Sequence, residues 1–423
     1  MRPHVKTALV VAWNIAAVVA LFAGAEFIAR VIQFHRHGRD IRQPLTLRDR
    51  YAVWRTNPSY TDGFIRNNHQ GFRRDEDTPL DKAPNSVRIF IVGGSVAYGI
   101  AGNLFGEVAH NPAPPRNSET ISYYLERELN ARYPSRHWEV INAGVPAYRL
   151  HQDLARLLSV VLRYRPDYVI SIDGVNDMES ILSAPVHYDP YLVDERMVDF
   201  DELANPAGFT SLRVLASNWL RRESALAHSL QDWIAERRTA RYVARTALPD
   251  PLKDPVRWED LTAEQQRHYR GSAAQLDAYA RLVRQIHAIL AVDHVEDLFV
   301  LQPHLATTHK PLTGTEPVLN ELTRRRRGNL YVYGFATLYP RLADTLSADA
   351  PVTGYRFLNT IGAFDGMRDQ AYTDFCHLTP QADRVIADRI LDSLRDSFAH
   401  AADSPPADSA SGFRKHTRRS TSW

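Results

Sequence analysis

Residues 87–92 form a run that is apolar but for Arg88 and rich in β-branched side chains, and Gly93 and Gly94 stop it abruptly. A run of this kind predicts a strand buried on both faces, the signature of a parallel sheet. The chain then alternates. Residues 118–132 have helical spacing, with Ile121, Tyr124, Leu125 and Leu129 on one face. Residues 138–142 read as a second strand, 150–163 as a second helix and 168–172 as a third strand. This alternation predicts an α/β fold with a central parallel sheet.

After Asp177 the alternation stops, and 178–270 reads as a mostly helical insertion, with a helix pair within 211–246 and a proline-rich break at 249–255. The pattern resumes with an amphipathic segment at 273–292, a fourth strand at 298–302 and the start of a fifth at 355–358. A helix over 381–398, with Val385, Ile386, Ile390 and Leu394 as its buried stripe, closes the domain, which spans 87–400. The tail, 401–423, is rich in Ser, Arg and Pro and is expected to be disordered.

Before the domain, residues 8–25 are apolar except for Asn14 and follow Arg2 and Lys6, enough for one bilayer crossing. Ala23-Gly24-Ala25 imitates a cleavage site, yet the run continues through Phe27, Ile28 and Val31. An uncleaved anchor over 7–31, behind a short tail at 1–6, is therefore expected. Arg30, Arg36, Arg39 and Arg42 follow the span, and a positive-inside count alone would put the large domain in the cytoplasm. Residues 32–86 are polar, arginine-rich and punctuated by Pro58, Pro79 and Pro84, a connecting segment that wraps onto the domain.

Composition narrows the partners. A net charge of +2 with scattered basic residues gives no nucleic-acid footprint. The lone cysteine, Cys376, excludes an internal disulfide framework; it reads as a buried structural thiol aimed away from its neighbours Asp374 and His377. His35/His37 and His304/His309 lack acidic or cysteine partners at ligand spacing, so no metal or other cofactor is expected. The run at 324–327, four arginines, reads as a solvated face or as a contact for anionic lipid or polysaccharide.

The ends of the strands carry the chemistry, because open α/β sheets bind ligands at the carboxyl ends of their strands. The first ends in Gly93-Gly94-Ser95, where glycines permit a tight turn and a helix start would expose the hydroxyl beside free N–H groups. No lysine follows to make a phosphate loop. The second ends near Gly144 and the third at Gly174-Val175-Asn176-Asp177, donors suited to a developing oxyanion, although a loop glycine and an Asx turn are the structural readings. Near the C-terminus, Asp374 precedes His377 by three residues, so one turn can set the carboxylate against the imidazole; a capping aspartate and a loop histidine are the bland reading. His304, after the fourth strand, reads equally as a substrate-lining residue and as a loop histidine.

In order and approximate spacing, these segments resemble the four blocks of the SGNH (GDSL-like) hydrolase family, over roughly 87–398 with a large insertion. The resemblance implies a flavodoxin-like three-layer sandwich. It further implies Ser95 as nucleophile, His377 as general base and Asp374 as its orienter. The oxyanion would be held by the N–H groups of Ser95 and Gly144 and by the Asn176 amide. Two departures stand out: Gly94 where the family often has Asp, and Ala147 where a second glycine often follows. Residues 68–73, Asn-His-Gln-Gly-Phe-Arg, and the anchor also look like those of bacterial membrane-tethered members. The expected activity is that of a serine esterase on an ester or O-acetylated glycan of the cell envelope, on the extracytoplasmic side. An O-acyltransferase of polysaccharide modification and a catalytically idle glycan-binding or envelope-assembly module are the alternatives.

Overall fold

The structure is a computed structural model, and it describes residues 3–37, 44–101, 115–183, 224–227, 229–230, 233–234, 237 and 255–404. The first helix, α1 (Pro3–His37), contains a stretch, Val10–Ile32, of mean hydropathy 2.1 that is long and apolar enough to cross a membrane. From Val10 to Ile32 most of its side chains are exposed.

The connecting segment contains structure that its sequence did not announce. Strands β1 (Thr46–Asp49) and β2 (Val53–Thr56) form an antiparallel pair. Each is four residues long, and their mixed burial leaves no period to read.

The domain is built on β3 (Ser86–Gly93), all of whose residues are buried. The short helix α2 (Ser95–Tyr98) follows, then α3 (Ile121–Arg132), which Thr120 caps by accepting from Tyr123 N–H. Strand β4 (His137–Asn142), helix α4 (Leu150–Ser159), strand β5 (Tyr168–Asp173) and helix α5 (Val175–Ser183) continue the alternation. Past the insertion come α6 (Ala263–Ala273), α7 (Leu276–Val292), β6 (Glu296–Leu301), α8 (Glu316–Thr353) and β7 (Arg356–Asn359). Helices α9 (Pro380–Ser393) and α10 (Arg395–Asp403) close the domain.

The five strands run parallel in the order β4-β3-β5-β6-β7. This is the doubly wound order of flavodoxin-like folds, with its switch point where β3 lies between β4 and β5. The connection from β3 to β4 runs one way across the sheet and the later ones run the other. Right-handed crossovers therefore place α3 and its partner α9 on one face, and α4, α7 and α8 on the opposite face. The fold is thus a three-layer α/β sandwich.

Three expectations need correction, and one helix went unread. The 150–163 helix stops at Ser159 and ends in a separate 3-10 turn, Val161–Tyr164. The closing helix is two helices that meet at Leu394, and 401–403 belongs to α10 instead of a disordered tail. The long α8 has no counterpart in the sequence reading. Gly328, Pro340 and Pro351 punctuate it as a loop would, yet only Gly328, at φ 82°, breaks the helical backbone, and Leu319, Leu322, Phe335, Leu338 and Leu342 are buried. Most of the expected helix pair at 211–246, the proline-rich break except Pro255, and 405–423 lie outside the described residues.

Candidate active site

Ser95 stands at the first position of α2, directly above the end of β3. The turn beneath it needs both glycines. A side-chain carbon at Gly93 would collide with the Ile172 carbonyl of β5, and one at Gly94 would come within 2.7 Å of Asn176 Nδ2. An aspartate at the second position would therefore have to displace the Asn176 amide. As the first residue of a helix, Ser95 has an N–H with no intrahelical acceptor.

The turn is also held from below. Asp153, on α4, accepts from Gly93 N–H at 3.0 Å, and Asp173, at the end of β5, accepts from Gly94 N–H and from Ser171 Oγ at 2.5 Å. Both carboxyl groups are buried. Asp153 Oδ2 has Asp173 as a partner only if one of the two carries a proton. Burial pushes both above the usual carboxylate range; the charge of Asp173 raises Asp153 further and that of Asp177 raises Asp173, which favours a proton on the pair. Neither residue was singled out in the sequence; the available signal was that Asp173 immediately precedes Gly174 at a strand end.

The connecting segment braces the same turn. Arg73 is buried and donates to the Tyr98 carbonyl at 2.9 Å, to the Gly99 carbonyl and to the Pro115 carbonyl at 2.6 Å, which fixes the end of α2. Trp54 donates to the Pro146 carbonyl at 3.0 Å, and Tyr148 donates to the Trp54 carbonyl. Between them Ala147 takes φ 64°, a left-handed conformation that favours glycine and accounts for the residue type often found there in the resembled family.

The structure brings His377 and Asp374 to Ser95. His377 Nε2 is 2.6 Å from Ser95 Oγ, and His377 Nδ1 is 2.7 Å from Asp374 Oδ2. The other carboxylate oxygen of Asp374 accepts the N–H groups of Cys376, at 2.9 Å, and His377, at 2.8 Å, so the loop backbone fixes the carboxylate. Burial alone would raise the Asp374 pKa. The charge of His377 and these hydrogen bonds outweigh it and hold the group below the usual range. The arrangement is that of a base oriented by a buried carboxylate and aimed at a hydroxyl.

Two of the three expected oxyanion donors are already engaged. Asn176 Nδ2 donates to the Tyr148 carbonyl at 2.7 Å, which leaves its second hydrogen, and Gly144 N–H donates to Asn142 Oδ1 at 3.1 Å. Gly144 is required where it stands, because a side-chain carbon would come within 2.6 Å of Tyr98 N.

His304 does not line an opening. It is fully buried, stacked on Phe335 with ring centroids 3.9 Å apart, and it accepts from Ala306 N–H while its other nitrogen meets Tyr331 Oη at 3.3 Å. Burial pulls its pKa down to about 3, so it is a neutral core histidine. Cys376 is buried as expected but is not aimed away, with Sγ 3.8 Å from His377 Nδ1. Burial and the Asp374 charge keep it a thiol. Asp374, Cys376 and His377 lie close enough together to suggest a metal set, yet both ring nitrogens of His377 already face Asp374 and Ser95. Of the arginine run, Arg327 is not merely solvated. It pairs with Glu179 at 3.0 Å and lies over the rings of Tyr331 and Phe375, next to Asp374 in sequence.

No family model matches this chain, and no curated protein matches it. Among solved structures, it is similar to an acetylxylan esterase from Geobacillus stearothermophilus, at 12% identity over 74% of this chain and 96% of that one, with a TM-score of 0.35. It is also similar to an alpha/beta hydrolase from the metagenome of Lake Arreo, Spain, at 16% identity over 73% and 94%, with a TM-score of 0.34. At these TM-scores the likeness carries no argument for this chain, and its chemistry is read from the site itself.

Proposed function

We propose that this chain is a serine esterase of the SGNH type that cleaves an ester, or an O-acetyl group on a cell-envelope glycan, through an acyl-serine intermediate. The observation that carries this reading is the unbroken contact from Asp374 through both nitrogens of His377 to Ser95 Oγ, with links of 2.7 and 2.6 Å.

In the proposed cycle His377 Nε2 removes the Ser95 proton as Oγ attacks the carbonyl carbon, and Asp374 balances the imidazolium that forms. The oxygen that gains charge is received by Ser95 N–H and by the second Nδ2 hydrogen of Asn176. Gly144 N–H joins them when it turns from Asn142. His377 then protonates the leaving alkoxide. Water, deprotonated by the same histidine, attacks the acyl-serine and releases the acid, and an alcohol in place of water would make the same site a transferase.

The apolar stretch Val10–Ile32 supports anchoring at a membrane, and a cell-envelope substrate would put the hydrolase domain outside the cytoplasm.

Labelling with a fluorophosphonate probe tests the chemistry. The parent protein should be labelled and Ser95→Ala should not, with ester turnover falling by several orders of magnitude. Full labelling of the variant would remove Ser95 as the nucleophile.

A further inference from the structure

Four arginines of the domain, Arg73, Arg88, Arg149 and Arg156, are almost wholly buried. Three of them are held mainly by backbone carbonyls, although Arg88 and Arg156 each leave Nη2 without a partner. Arg73 donates to three backbone carbonyls, Arg88 to two carbonyls and to Glu139, and Arg156 to the Ala143 carbonyl. Arg149 is different. It is 5% exposed, its one side-chain bond is Nη1 to Ser180 Oγ at 3.2 Å, and Nε and Nη2 have no acceptor. Among the described residues no carboxylate pairs with it. A guanidinium kept from water with two N–H groups unpaired is costly, and such groups are normally matched by an anion or a carbonyl.

Its position says what the missing acceptor would belong to. Arg149 follows Tyr148, whose carbonyl takes Asn176 Nδ2, and both that carbonyl and Nδ2 lie against Gly94, next to Ser95. Ser180, which Arg149 touches, donates in turn to the Asn176 carbonyl at 2.9 Å. Arg149 is therefore two hydrogen bonds from the residue proposed to receive the oxyanion. A second guanidinium, Arg327, pairs with Glu179 on the same helix, so α5 is flanked by two cations.

We propose that Arg149 is the centre of an anion subsite beside the reacting ester, and that it takes a carboxylate carried by the substrate's own sugar. The inference rests on the esterase reading and narrows the substrate to acetylated acidic glycans. The two unpaired N–H groups match the two oxygens of a carboxylate in the forked geometry typical of guanidinium recognition. Because these groups are screened from bulk water, the pairing is strong and selective against neutral sugars, which cannot satisfy the charge.

Calorimetry on the full chain in detergent, with Ser95→Ala to prevent turnover, reads the subsite without relying on catalysis. The probes are an oligogalacturonate, a neutral xylo-oligosaccharide of equal length and glycerol phosphate. The oligogalacturonate should bind at least tenfold tighter than the other two, and added Arg149→Met should bring the acidic and neutral sugars within about twofold. Arg149→Lys should keep part of the preference, and raising the salt should erode it. A neutral sugar that binds equally well, a preference for the phosphate, or a ratio unmoved in a folded Arg149→Met variant would overturn the proposal. If Arg149→Met does not fold, Arg149→Lys and the salt series decide it. Failure of the esterase reading would appear separately, as absence of fluorophosphonate labelling in the parent.

Discussion

His377 Nε2 lies 2.6 Å from Ser95 Oγ, although 282 residues separate the two in sequence. The contact depends on the loop that carries Asp374 and His377 being fixed before α9 begins, and Asp374 fixes it by bonding two backbone N–H groups and the imidazole together.

Asp374→Asn should therefore leave the fold intact and lower kcat by roughly a thousandfold or more, with KM little changed. The neutral amide can keep the loop bonds but cannot balance an imidazolium. Steady-state kinetics on a chromogenic acetate ester, with circular dichroism as the folding control, checks it. A loss of less than tenfold would mean that the carboxylate does not serve His377.

Asn176→Ala should slow turnover by about a hundredfold while KM stays nearly constant, because an oxyanion donor acts chiefly in the transition state. The Asn176 bond to Tyr148 means that some loss of order in the 144–148 loop accompanies the change. A rise in KM at unchanged kcat would make Asn176 a ground-state contact instead.

The Asp153 and Asp173 pair predicts an unusual pH dependence of stability. Burial raises Asp173 to about 7, whereas an unfolded aspartate titrates near 3.9. Between those values the folded state binds more protons than the unfolded one. Stability should therefore fall as the pH rises through this window, and Asp153, raised in the same direction, adds to the fall. Asp173→Asn removes its own share of the slope and should raise stability at pH 8 relative to the parent by about 1–3 kcal/mol, below the full linkage value because its titration is coupled to that of Asp153. Urea unfolding of both proteins at pH 5 and pH 8 measures it. A parent whose stability is flat or rising over that range would contradict a shared proton.

Topology is open to a direct test. An alkaline phosphatase fused after residue 400 should be active, and a green fluorescent protein fused at the same point should be dark. The reverse pattern would place the domain in the cytoplasm, as the arginines after the span favour, and would remove envelope glycans as substrates.

Local physics made part of this protein legible from sequence. The buried strands could be read at 87–92, 138–142 and 168–172 because strands covered on both faces need short continuous apolar runs. The Asp374 and His377 turn could be read because three residues of separation suffice to close it. Helix α8 could not, since Gly328, where the helical backbone does break, and Pro340 and Pro351, where it does not, carry the same local break signal. The burial of His304 against Phe335, the raised carboxyl pair beneath Gly93 and Gly94, and the unpaired guanidinium of Arg149 were decided only in three dimensions. Each depends on groups far apart in the chain meeting where water is excluded, and no local pattern of residues encodes such a meeting.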